Sequence, residues 1–123
     1  MQDTCTFFRI NATDDGGLFY LGMSSAGSTA TLTDVTIETV FSGKGGGIFA
    51  VSGTTSVFIF TKVNIYDPQA KGGDGGTFWF FNTLTTDMTL TSCQIFNSYA
   101  FNHGGTIDVA GTTSTFTLNT CLI

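Results

Sequence analysis

Gly16-Gly17-Leu18-Phe19-Tyr20-Leu21 returns as Gly46-Gly47-Ile48-Phe49-Ala50-Val51, then as Gly75-Gly76-Thr77-Phe78-Trp79-Phe80, and finally as Gly104-Gly105-Thr106-Ile107-Asp108-Val109. Counted from the second glycine, the steps are 30, 29 and 29 residues. So steady a period marks a repeat architecture, one structural unit used over again. After each doublet the second and fourth residues are apolar: Phe19/Leu21, Phe49/Val51, Phe78/Phe80 and Ile107/Val109. The residues between them, Tyr20, Ala50, Trp79 and Asp108, vary. Period two with one constant apolar face predicts a half-buried strand, and it excludes a helix.

A second strand follows a Gly/Ser/Thr loop, with inward pairs Ala30/Leu32, Phe58/Phe60, Met88/Leu90 and Phe116/Leu118. Parity then slips by one residue, which in a continuous strand would turn every side chain to the wrong face. The slip therefore predicts a sharp corner. A third strand carries Val35/Ile37, Val63/Ile65, Cys93/Ile95 and Cys121/Ile123 inward, and Cys5/Phe7 match them. Three short strands cannot close a core alone. Stacked coil on coil they make an all-β, three-sheet parallel β-helix, with like residues about 4.8 Å apart in each rank. The expected layout is one solenoid segment over residues 1–123, with coils starting near 17, 47, 76 and 105 after a partial coil at 1–16, about four coils of ~29 residues. A three-strand coil of this length favours the right-handed form.

Phe8-Arg9-Ile10-Asn11-Ala12 before Gly16-Gly17-Leu18 resembles the paired FxxN and GG-[ALIV] motifs of polymorphic outer membrane protein repeats, whose relatives include pectin-lyase-like β-helices of large surface proteins. Tyr66-Asp67-Pro68-Gln69-Ala70 and Phe96-Asn97-Ser98-Tyr99-Ala100 keep the pattern loosely, while Glu38 and Phe41 break it in the second coil. The resemblance implies a surface-exposed β-helix of adhesive or structural use.

Composition narrows the function. The chain has 123 residues, is 41% hydrophobic and 14% aromatic, and carries a net charge of −5 with only 11% charged residues. That is enough apolar material for a core. Arg9, Lys44, Lys62 and Lys71 are its only strong bases, so no patch can neutralise phosphates or hold anionic lipid, and nucleic acid is excluded as a partner. No stretch is long and apolar enough for a membrane helix; Met1-Gln2-Asp3 leads straight into the repeat, and the expectation is a leader that lay upstream and was removed, or a segment of something longer. Asn11-Ala12-Thr13 is an N-glycosylation sequon and makes Asn11 the candidate glycan site. With the Thr/Ser/Gly-rich, Lys-poor surface it points to an extracellular or cell-surface location.

The ends look uncapped. Cys5 and Cys121 are equivalent positions, so a whole number of coils is present with no polar coil or helix at either side. An open end exposing roughly 300–500 Å² of apolar surface would cost about 7–12 kcal/mol. The expectation is that flanking coils or a second copy stacked head to tail cover both ends. The inward ladder Cys5, Val35, Val63, Cys93, Cys121 reads first as small buried hydrophobes. Cys93 and Cys121 fall on neighbouring coils within disulfide reach, and stacked copies would set Cys121 near Cys5 of the next.

Sites for chemistry are thin. His103 is the sole histidine and no CxxC occurs, which argues against zinc. Asp14, Asp15 and Asp74 sit in the turns before glycine doublets, where turn chemistry accounts for them and calcium is the weaker reading. Asp34, Glu38, Asp67, Asp87 and Asp108 are spread over different coils, so no paired-carboxylate centre forms, and neither an enzyme nor a cofactor is expected.

The outward face of the second strand shows Thr31, Ile59, Thr89, Thr117 beside Thr33, Thr61, Thr91, Asn119. Thr is a good exposed strand residue; the same columns would also suit O-glycans or, flat and bare, an ice-binding surface. Tyr20 and Trp79, with Leu18 and Ile48, are expected outward as a lateral contact. The expected function is a structural or adhesive solenoid, self-stacking or embedded in a longer surface protein. A carbohydrate-binding or carbohydrate-active β-helix is the alternative, and an ice-binding module the second.

Overall fold

Each residue that opens a new side of the coil must reverse the pleat, and the computed structural model shows how this is done. It describes residues 5–23 and 28–123; residues 1–4 of the expected partial first coil lie outside the described residues. Among the described residues nine strands are formed and no helix: β1 (Cys5–Ala12), β2 (Phe19–Met23), β3 (Ser28–Ser42), β4 (Phe49–Tyr66), β5 (Gln69–Ala70), β6 (Phe78–Thr91), β7 (Gln94–Phe96), β8 (Tyr99–Ala100) and β9 (Ile107–Asn119). Every pairing is parallel, in the order β8-β5-β3-β4-β6-β9, with β1 on β3 and both β2 and β7 on β4. The chain is thus a parallel β-solenoid of about three turns at ~29-residue spacing.

Long strands such as β3 and β4 run through corners without losing their ladder. One corner is a single residue in the left-handed region: Asp34 (φ 53°), Lys62 (φ 54°), Ser92 (φ 53°) and Thr120 (φ 54°). It falls where sequence parity slips, so the residues on both sides point inward. A second corner, Arg9, Thr39, Asp67 and Asn97, has the same geometry (φ 53–55°). Beyond it the third face continues as a short ladder in which Asn11, Phe41, Gln69 and Tyr99 pair, as do Ala12, Ser42, Ala70 and Ala100. The third corner is the first glycine of each doublet, Gly16, Gly46, Gly75 and Gly104 (φ 58–66°).

The second glycine has a different task. A Cβ on Gly17, Gly47 or Gly76 would overlap the carbonyl oxygen of the equivalent glycine one rung up. Only glycine allows backbones to approach so closely. The doublet is therefore one left-handed turn residue and one contact residue.

Inside, like stacks on like. Phe19, Phe49 and Phe78 form a pile with ring centroids 4.9 and 5.1 Å apart and planes within 11° of parallel. Phe58 and Phe60 pack against it from the second face, Phe60 at 5.3 Å from Phe49 and Phe58 at 5.2 Å from Phe80. Val35, Ile37, Val63, Ile65, Cys93 and Ile95 close the third side. Burial at the usual 25 cal/mol/Å² makes these ranks the main cohesive term of the fold.

Candidate functional site

Four features carry chemistry or recognition potential: the outer aromatics, the Thr face, the acidic turns and the thiol ladder. The outer aromatics depart most from expectation. Ile48 does not face solvent: it is fully buried, and Leu18 is half-buried against the core. Both follow the doublet directly, where the chain is still turning, and there the backbone bonds Leu18 N–H to Ile48 O and Ile48 N–H to Thr77 O clamp the rungs together. Strand parity does not yet apply at that point, so the outward assignment of Leu18 and Ile48 is corrected.

Tyr20 is exposed, but Trp79 is only half so. The indole lies back over the turn below, where a Cβ on Gly45 would collide with its ring. The ring also stacks on Phe81 at 4.3 Å. Phe81 in turn meets Tyr20 at 6.0 Å, two rungs down. Ala50, which pairs with both Tyr20 and Trp79, is the floor beneath them and fully buried. Tyr20, Phe81 and Trp79 form one cluster whose large rings fill the volume left by Gly45 and Ala50. Phe81 was missed in the sequence because the contact joins residues that no periodic rank relates. Trp79 thus packs against the wall and stays half-exposed on its outward side.

On the second face the Thr columns are in register: Thr31, Ile59, Thr89 and Thr117 pair in sequence, as do Thr33, Thr61, Thr91 and Asn119. Thr31, Thr33 and Thr117 are exposed, Thr61, Thr89 and Thr91 partly so, and Ile59 projects 41% exposed between them. Asn11 is exposed at the end of β1, leaving its sequon open to solvent.

The acidic turns serve the backbone. Asp15 Oδ1 accepts the Gly45 N–H at 3.0 Å, one rung up. Asp74 Oδ1 repeats this for His103, taking its backbone N–H at 3.1 Å and lying 3.0 Å from Nδ1. Asp14 pairs with Lys44 at 2.6 Å, and this hydrogen bond and charge hold its carboxyl below the ordinary range while raising the lysine. Asp108, one rung above Trp79, is pushed up by burial and by the charge of Asp74, against a smaller opposing pull from His103. Thr77, also buried, reaches Ser98 Oγ at 2.8 Å, and Ser98 donates to Gly105 O at 2.7 Å. At the second corner Asn97 Nδ2 donates to Asp67 Oδ1 at 2.9 Å.

In the thiol ladder, Cys5 pairs with Val35 and Val35 with Val63. Cys93 is buried, Cys121 half-buried and Cys5 exposed, all three as free thiols. Burial first, then the neighbouring Cys121, pushes the Cys93 thiol up, opposed by backbone hydrogen bonds. Among the described residues, no helix is long and apolar enough to cross a membrane. Comparison with family models, with curated proteins and with solved structures finds no match to this chain.

A fifth feature is where apolar surface comes out. Among the described residues, the exposed large hydrophobics are Phe8, Tyr20, Ile59, Tyr99, Phe101, Phe116, Leu118, Leu122 and Ile123. All but Ile59 lie on the first or the last rung. Phe116 and Leu118 are the same inward positions at which Met88, Leu90, Phe58 and Phe60 are buried.

Proposed function

We propose that this chain is a structural or adhesive β-solenoid segment whose end rungs accept further coils, from a second copy stacked end to end or from the same polypeptide. The observation that supports this is the exposure of inward apolar side chains on the last rung, Phe116 at 37% and Leu118 at 51%, at positions where Met88, Leu90, Phe58 and Phe60 below are buried. Beside them, β9 presents an unpaired edge, which is a template for another parallel strand. The side walls, by contrast, are Thr-rich or self-filled. A module of this kind works by geometry: length along the coil axis and a repeating surface around it.

An extracellular or cell-surface setting fits the open sequon at Asn11 and the resemblance of Phe8, Asn11 and Gly16-Gly17-Leu18 to polymorphic outer membrane protein repeats. Sedimentation velocity over a concentration series tests the stacking. Association weakened at least ~10-fold by Leu118→Lys, about the effect of losing 1.4 kcal/mol, and left unchanged by Ile59→Lys on the side wall is the expected outcome. A protein that stays monomeric throughout, or one in which Ile59→Lys alone abolishes association, contradicts it.

A further inference from the structure

Cys93 and Cys121 occupy one inward position on successive rungs. The pairs that flank them, Thr91 with Asn119 and Gln94 with Leu122, fix that register. Their sulfurs have equivalent surroundings: Cys93 Sγ lies 3.4 Å from Thr91 O and 3.5 Å from Phe60 O, and Cys121 Sγ lies 3.4 Å from Asn119 O and 3.3 Å from Leu90 O. Phe60 and Leu90 are themselves paired. One thiol is therefore the other carried up a single rung.

We propose that Cys93 and Cys121 are a redox modification site, closed to a disulfide by exchange with a small-molecule disulfide. Neighbouring parallel strands lie about 4.8 Å apart, inside the Cα separation of about 4.4–6.8 Å that a disulfide spans. Side chains in register point alike, so each sulfur has to leave its carbonyl and turn toward its neighbour. The upper partner has the freedom to do so. Cys121–Ile123 is held to the rung below by a single isolated bridge, with Leu122 N–H to Cys93 O at 3.1 Å and Ile95 N–H to Leu122 O at 2.9 Å. Val35 and Val63 stand between this pair and Cys5, which is about 14 Å from Cys93 at three rungs' spacing and outside bonding reach.

Exposure sets the order of events. Cys121, half-buried where Cys93 is buried, is the accessible partner of the pair; as the thiolate it attacks the small disulfide, displacing one thiolate and leaving a mixed disulfide on Cys121. Cys93, held in its thiol form by burial, then gives up its proton and attacks Cys121 Sγ, and the second small thiol leaves. The protein loses two electrons and two protons; the small disulfide gains them and departs as two thiols. The result ties the last rung to the one beneath it.

The test is oxidation of the folded protein with glutathione disulfide at about pH 8, near the ordinary thiol pKa, then alkylation and peptide mass mapping. The expected product links Cys93 to Cys121 with the loss of two hydrogens and leaves Cys5 outside the link, alkylated or carrying glutathione as an exposed thiol without a partner in reach; Cys5→Ser gives the same link. Cys93→Ser is expected to stall with glutathione on Cys121. The same oxidation in denaturant spreads the links over all pairings, which shows that the fold selects the partner. Three alkylated cysteines, a mixed disulfide that persists on Cys121 in the unmutated protein, or a link that includes Cys5 overturns the proposal.

Discussion

Gly47 and Gly105 are equivalent letters of one repeat and carry very different loads. A Cβ at Gly47 would overlap Gly76 O and press on the Gln69 backbone, neither of which can move without breaking the ladder; at Gly105 nothing lies within 4 Å. Gly47→Ala is expected to cost about 3 kcal/mol or more, the upper part of the overpacking range. Gly105→Ala is expected to be neutral or to stabilise by about 0.4–1 kcal/mol through the unfolded chain. Urea denaturation of the two variants checks this, and equal effects would mean that the doublet serves only as a turn. Asp108 gives a pH signature. Its carboxyl is held above the ordinary range, so the folded state keeps the proton longer than the unfolded one, and stability falls as pH rises past that range. Asp108→Asn should match the parent near pH 3 and exceed it slightly near pH 7, by no more than about 0.5 kcal/mol for so exposed a group. A gap that opens at low pH instead would reverse the assignment.

Along the elements, cohesion comes from ranks and shape from corners. Phe49 sits between Phe19 and Phe78 in the aromatic pile and touches Phe60 as well. Phe49→Ala is expected to cost about 3–5 kcal/mol, whereas Ile107→Ala, half-buried on the last rung, should cost well under half of that. Corner residues outside glycine hold a backbone conformation that costs roughly 1–2 kcal/mol for most side chains. Thr39 is β-branched and holds φ 53° in a rank that contains Asp67 and Asn97. Thr39→Asn is therefore expected to raise the thermal midpoint by relieving about 1 kcal/mol; a lower midpoint would show that the threonine has a role the corner does not reveal. The corners also show how far the sequence could be read. The one at Asp34, Lys62, Ser92 and Thr120 was visible because inward apolar residues on both sides force a parity slip. The one at Arg9, Thr39, Asp67 and Asn97 was not, because four unlike side chains occupy it and the ladder beyond it is two or three residues long. The aromatic wall stayed hidden for a related reason. Trp79 lies over Gly45, Phe81 meets Tyr20, and Ala50 is the floor between, so the cluster is a volume match across rungs that period two does not encode.

At the scale of the molecule, repeat period, strand parity and parallel stacking were all legible from the glycine doublets and their apolar followers. The proposed function was less so, since a solenoid acting through its shape would need no motif. What the folded chain adds is location: among the described residues, the exposed large hydrophobics other than Ile59 lie on the first or the last rung, inward Phe116 and Leu118 among them. If apolar end rungs drive association of a chain with net charge −5, salt should strengthen it by screening like charges. Raising sodium chloride from ~20 mM to about 500 mM shortens the screening length from roughly 20 Å to 5 Å or less. Stacking should tighten, whereas ion-pair-driven contact would loosen; light scattering at the two salt levels separates these. The most direct measurement is X-ray diffraction from oriented assemblies of the protein. Axial stacking predicts a reflection at about 4.8 Å along the assembly axis, with the strands running across it. The same spacing at right angles to that axis would mean that the walls, not the end rungs, hold the copies together, and would contradict the account.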